Sequence, residues 1–231
     1  MKKGELKKTE ILKTAEAFFC KFGYETTSVQ DIIDELHTSK GSFYHHFTSK
    51  EALLEEICKN RIFNASQQLI HSILPETNPV SKMNMLLSGM IPFNGEKLSF
   101  LLMLLPVYTL PEGVHLRSAY CKELTNCYLA PVSKTLEEGS EKGVFLVRNS
   151  EICSEIVIEL VNHLWTKLCD KILAKEMEGT FMDPSELLLV IDQYRFSVER
   201  LVSAPYGSLE MIRLEDLKKL IDQIHQHWKQ G

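Results

Sequence analysis

Two adjacent histidines, His45 and His46, stand in the stretch SKGSFYHHFTSK (residues 39–50) among hydroxyls, a glycine and two lysines. Imidazole can ligate a metal, carry a proton or hydrogen-bond, and the spacing of its neighbours decides between these roles. Phe43 and Phe47 are four apart, which turns both rings to one side of a helix. Gly41 and His45 then point most directly away from that side, with Ser42 and His46 on one flank and Tyr44 on the other. Adjacent positions on a helix diverge by about 100°, so His45 and His46 do not close on one metal ion unaided. His225 and His227 fail similarly, and no metal site is expected. A glycine on this outward face, where a solubilising charge is usual, suits a polar partner that comes close to the backbone.

Other chemistries find no support. Cys20, Cys58, Cys121, Cys127, Cys153 and Cys169 form no C-x-x-C pair and have no His at zinc-ligand spacing, as expected of reduced thiols in a cytoplasmic protein. There is no nucleophile–base arrangement, Gly-rich phosphate loop or E-x-x-H pair, so no enzyme, catalytic residue or cofactor is expected. The N-terminal MKKGELKKTE lacks the apolar run of a signal peptide. Leu98 to Leu110 is too short for a bilayer and is broken by Pro106, so no membrane association is expected.

Net charge is −5, which excludes a basic coat over the whole chain but not a local one. Lys2, Lys3, Lys7, Lys8, Lys40, Lys50, Lys59 and Arg61 gather early, whereas acids dominate from Glu137 to Glu159 and from Glu176 to Glu186. The asymmetry suggests a nucleic-acid-facing head on an acidic body.

Helices must position these groups. Ile11, Ala15, Phe18, Phe19 and Phe22 form the stripe of a first helix over 5–22, and Gly23 supplies its left-handed stop. Thr27 or Ser28 caps a second, with Gln30 or Asp31 as reciprocal partner and Val29, Ile32, Ile33 and Leu36 facing inward. After a break at His37 and Thr38 comes the short helix of Phe43 and Phe47, and then a fourth, capped by the T-x-x-E pattern Thr48 to Glu51 and running to about His71. The second and third make a helix-turn-helix. Further helices are expected at 79–90, 95–106, 112–141, 150–176, 184–203 and 209–229, with no strand. The fold class is therefore all-α.

A DNA major groove admits one helix, and its base edges bond to Ser, Thr and His. Tyr44, Lys40 and Lys50 are the chemistry for flanking phosphates, leaving Gly41, Ser42, His45 or His46 for the bases. The stretch from Ile11 to Leu54 resembles the N-terminal domain of the TetR family of one-component transcriptional regulators. The resemblance is carried by Phe22-Gly23-Tyr24, Thr27-Ser28-Val29 with Ile32, Ser39 to Tyr44, Phe47, and Ser49-Lys50-Glu51 with Leu53. It implies an all-α homodimer with a three-helix DNA-binding domain at 1–48 (helix-turn-helix about 28–47) and a helical ligand-binding and dimerisation domain at 49–231. It also implies groove contacts from residues 39–42 and His46, and phosphate contacts from Tyr44 and Lys50; Thr27 and Ser28 join the DNA-facing set. Where most members carry Gly-Val in the turn, this chain has His37-Thr38.

The expected function is ligand-responsive regulation, as a repressor released from a palindromic double-stranded operator by a small inducer. An all-helical dimeric enzyme or carrier with an accessory N-terminal unit is the alternative. Pocket candidates for an apolar or aromatic inducer are Met85, Met90, Phe93, Phe100, Met103, Tyr108, His115, Tyr120, Asn126, His163 and Trp165. The wide apolar stripes of the helices at 150–176 and 184–203 suggest a two-fold interface through Ile156, Leu160, Leu164, Leu187, Ile191, Tyr194, Val198 and Leu201.

Overall fold

The computed structural model describes residues 3–73, 76–91, 98–109 and 113–228. Among them are α1 (Lys3–Phe22), α2 (Val29–Glu35), α3 (Lys40–His46), α4 (Lys50–Ile73), α5 (Pro79–Met90), α6 (Leu98–Thr109), α7 (Val114–Glu141), α8 (Ser150–Glu178), α9 (Pro184–Val202) and α10 (Leu214–Trp228), and no strand. No helix of the described residues is long and apolar enough to cross a membrane.

The chain divides into two units, the first made of residues up to Arg61 with Ser99–Tyr120, the second of Ile62–Leu98 with the chain from Cys121 onward. The boundary expected between 48 and 49 falls inside the first unit. Leu53, Leu54 and Ile57 of α4 are buried there, as are Ile11, Ala15 and Phe19 of α1 and Ile32, Ile33, Phe43 and Phe47 further on. Burying one such side chain contributes about 1.5–3 kcal/mol, and together they hold the short α2 and α3, which are too short to persist alone. Two ion pairs join α1 to α4, Lys8 to Glu56 at 2.5 Å and Arg61 to Glu16, and the Arg61 guanidinium lies 3.9 Å from the Phe100 ring centroid.

In the second unit α8 and α9 pack antiparallel, burying Val157, Val161, Leu164, Leu168 and Ile172 against Leu187, Ile191 and Val198, with α5 and α10 alongside. Buried Glu199 receives Arg195 at 2.8 Å and the backbone N–H of Leu209 at 3.0 Å, so its charge is paired and hydrogen-bonded.

Three helix ends differ from expectation. The cap of α4 is Ser49, whose Oγ accepts from the Ala52 N–H at 3.1 Å, so the T-x-x-E box from Thr48 does not form. α6 passes through Pro106 to Thr109, because the exposed ring keeps a helical φ and the Arg117 guanidinium donates to the Tyr108 carbonyl in the last turn. α10 begins at Leu214 rather than 209, since side chains take the backbone bonds of the preceding loop: Glu199 on Leu209, and Asn84 on Ser208 and Glu210.

Candidate nucleic-acid interface

Ser28 caps α2. Its Oγ accepts from the Asp31 N–H at 3.2 Å while the Asp31 carboxylate accepts from the Ser28 N–H at 2.7 Å. The Ser28 hydroxyl also bonds to that carboxylate and holds its pKa below the usual carboxylate range. The turn into α3 runs through His37 at φ 45°, a left-handed position that favours glycine, closed by Thr38 N–H on Ile33 O at 3.1 Å. A side chain there carries a backbone cost of about 1 kcal/mol. His37→Gly is therefore expected to raise unfolding stability by up to about 1 kcal/mol, read as a higher denaturant midpoint with an unchanged m-value.

Ser39 caps α3 by accepting from Ser42 N–H at 3.1 Å. Phe43 (0% exposed) and Phe47 (4%) turn inward, and Lys40, Gly41, Tyr44 (54%) and His45 face outward with Ser42 and His46 half-buried beside them. This is the arrangement the spacing predicts. The His45 and His46 rings meet edge-on with centroids 5.0 Å apart, and among the described residues no group of three or more His, Cys, Asp or Glu is placed to hold a metal. A Cβ built on Gly41 meets only the Ser39 hydroxyl, at 3.9 Å, so nothing inside the protein requires glycine there. One built on Gly4 lies 4.0 Å from the His46 ring, which puts the start of α1 beside α3.

Two of the expected DNA contacts are placed differently. Thr27 is 2% exposed and its hydroxyl donates to Gly23 O at 2.7 Å, so it braces the turn from within. Lys50 turns back on the head, donating to Tyr24 O at 2.9 Å and Thr27 O at 3.1 Å with its ammonium 4.3 Å from the Tyr24 ring centroid. A single N–H of Lys50 is left for another acceptor. Its position in sequence, more than twenty residues from either carbonyl, gives no local signal of this strut. Lys50→Met removes two charge-assisted bonds while keeping the stem, and is expected to cost about 1–2 kcal/mol of stability. Thermal unfolding of the variant checks this.

The residues expected at an interface on α8 and α9 divide between the core and the surface. Leu164, Leu187, Ile191 and Val198 are buried in the chain's own core, which takes the inner half of each wide stripe. Ile156 is 41% exposed, and Leu160, Tyr194 and Leu201 are half-buried. Ile152, Leu189, Phe196 and Tyr206 are exposed as well; the seven-residue step from Leu189 to Phe196 is the helical signal that marks this outer row. His163, expected in a pocket, is exposed and its Nδ1 pairs with the Tyr194 hydroxyl at 2.7 Å.

Of the other pocket candidates, Met90, Phe100, Met103, Tyr108, Tyr120 and Trp165 are buried, and Asn126 is exposed with its amide on Glu123. Phe93 lies outside the described residues. Met85 lines a cleft of about 470 Å³ in the second unit with Leu69 and Asn84, and His115 lines one of about 620 Å³ in the first. No disulfide joins the cysteines, and burial, then Glu159 at 3.1 Å, pushes the Cys121 thiol up to about 12, so it stays protonated at neutral pH.

Residues 11–57 match the family model of bacterial regulatory proteins of the tetR family. The chain is 29% identical over 143 residues, 60% of its length and 50% of the relative's, to the HTH-type transcriptional regulator YerO of Bacillus subtilis (strain 168). It is 34% identical over 80 residues, 33% of its length and 38% of the relative's, to the HTH-type transcriptional repressor KstR2 of Mycolicibacterium smegmatis. The matched segments thus span half or less of these relatives. Among solved structures, RolR with resorcinol bound superposes with a TM-score of 0.59 over 96% of this chain and 95% of that one at 11% identity, a likeness of fold.

Proposed function

We propose that this chain, a member of the TetR family of bacterial regulatory proteins, is a ligand-responsive repressor that binds a palindromic duplex as a homodimer. The observation that carries the reading is α3 itself. One side is anchored by Phe43 and Phe47, and the other presents Lys40, Gly41, Tyr44 and His45 with no internal use for the glycine. A helix of this outline fits the major groove with Ser42, His45 and His46 toward base edges and Lys40 and Tyr44 toward phosphates. Ser28 and Ser39 are exposed at the two helix starts, and Lys50 holds the turn that precedes α2.

The head carries the DNA contacts and the remaining helices the ligand and the second copy. The exposed apolar row of Ile152, Ile156, Leu189 and Phe196 supports pairing with a second chain through α8 and α9. The ligand is a small apolar or aromatic molecule; RolR, of the same fold, was solved with resorcinol. A ligand shifts DNA binding only by the difference in its own affinity for the two states. Repression follows the relatives named as repressors, KstR2 among them.

The experiment is duplex binding by fluorescence anisotropy at several salt concentrations. The parent should lose affinity steeply with salt, and Lys40→Ala should weaken binding on all sequences and reduce the log–log slope by about 1. Affinity without salt dependence, or an unchanged slope in Lys40→Ala, contradicts the reading.

A further inference from the structure

The lining of the cleft of about 620 Å³ in the first unit includes no residue of α3. Tyr24 and Glu25, the opening turns of α4 from Ser49 to Glu55, and Val107, His115 and Leu116 line it. Its volume lies within the range of sites for small organic molecules, roughly 300–1,000 Å³. Ala52, Leu54, Val107 and Leu116 give it apolar surface, and Glu25, Glu51 and Glu55 give it three carboxylates. All three act on the one Tyr24 phenol, which burial and then these charges raise above its ordinary range. The Glu51 carboxyl is held below the usual range, first by its bond from Ser49, and is anionic. The lysine of the lining, Lys50, offsets one of these charges, acting on Glu51, so the carboxylates of the lining still outnumber its one ammonium.

An anion entering this space meets like charges, and a neutral apolar molecule leaves carboxylates facing its body. A cation with an apolar body satisfies both kinds of surface. We propose that the cleft binds an amphipathic organic cation, with Glu25 and Glu55 facing an ammonium and Val107 and Leu116 covering the aromatic or aliphatic part. Its lining includes the turn and the helix start that hold the helix-turn-helix, so occupancy bears on DNA affinity. That consequence rests on the function proposed above; binding itself does not.

The test is calorimetric titration of the full chain, without DNA, using 2-phenylethylammonium, 2-phenylethanol and tetramethylammonium as probes. The first should bind one site per chain at least tenfold more tightly than either of the others. In Glu25→Gln/Glu55→Gln, whose exposed or half-buried carboxylates lie outside the core, that advantage should vanish while 2-phenylethanol binding stays unchanged. Equal affinity for the three probes, no saturable binding, or an advantage that survives in the double variant overturns the proposal. A second arm, duplex affinity with and without saturating probe, reads the regulatory consequence separately. A probe that binds while the chain shows no DNA affinity overturns the DNA-binding reading and leaves the site standing.

Discussion

Gly41→Glu is expected to leave the protein folded and to weaken duplex binding at least about a hundredfold. The free protein has room, because a Cβ at this position meets only the Ser39 hydroxyl at 3.9 Å and the residue is exposed. Glycine inside a helix is also the poorer former, so a side chain here raises helix propensity by about 0.5–1 kcal/mol. Against DNA both gains reverse. The new carboxylate stands at the centre of the face that Lys40, Tyr44 and His45 share, where it repels phosphates and takes the space a base edge needs. Losing one good base contact costs about 1–3 kcal/mol, and a like charge adds to it. Circular dichroism with anisotropy checks both halves. Gly41→Ala separates size from charge: it should be more stable than the parent yet bind less tightly if the backbone approaches the groove.

Ile156→Lys combined with Phe196→Lys should give a folded monomer whose affinity for a two-half-site duplex falls by about 100- to 10,000-fold. Both residues are exposed in the single chain, at 41% and 38%, so the lysines go into solvent and the core of Val157, Val161, Leu187 and Val198 is untouched. In a dimer the two heads act as linked modules, and linkage multiplies affinity through effective concentration with no new contact. Separated heads each bind one half-site with only their own contacts. Light scattering should give half the parent mass, and binding to an isolated half-site should be unchanged. A variant that stays dimeric places the interface elsewhere on the chain.

The local parts of the head were legible in the sequence. Period and capping signals act within four residues: the Ser28–Asp31 box is one of the pairings that the spacing of 27–31 offers, and the inward Phe43 and Phe47 follow from theirs. Contacts across long sequence separations were not. Lys50 reads as a surface cation until the α1–α2 turn folds beneath it and offers two carbonyls. Thr27 is a nearer miss: its spacing reads as a cap, but its hydroxyl turns back on Gly23 O, four residues before it. The wide apolar stripes on α8 and α9 did not say which half the chain's own core would claim; it took Leu164, Leu187 and Ile191, leaving Ile152, Leu189 and Phe196 exposed. Loop backbone held by distant side chains, as Glu199 and Asn84 hold residues 208–210, has no periodicity and was read as helix.

On the proposed function, this chain reads double-stranded DNA through α3. That reading is tested most directly by selecting duplexes from a random pool with the full chain and repeating the selection with Gly41→Glu. The parent should enrich an inverted repeat whose half-sites are centred about one helical turn, roughly 34–36 Å, or a multiple of it apart, as two-fold helix-turn-helix dimers require. The variant should enrich no repeat. A pool that the parent leaves random, or the same repeat emerging from both proteins, would contradict the reading.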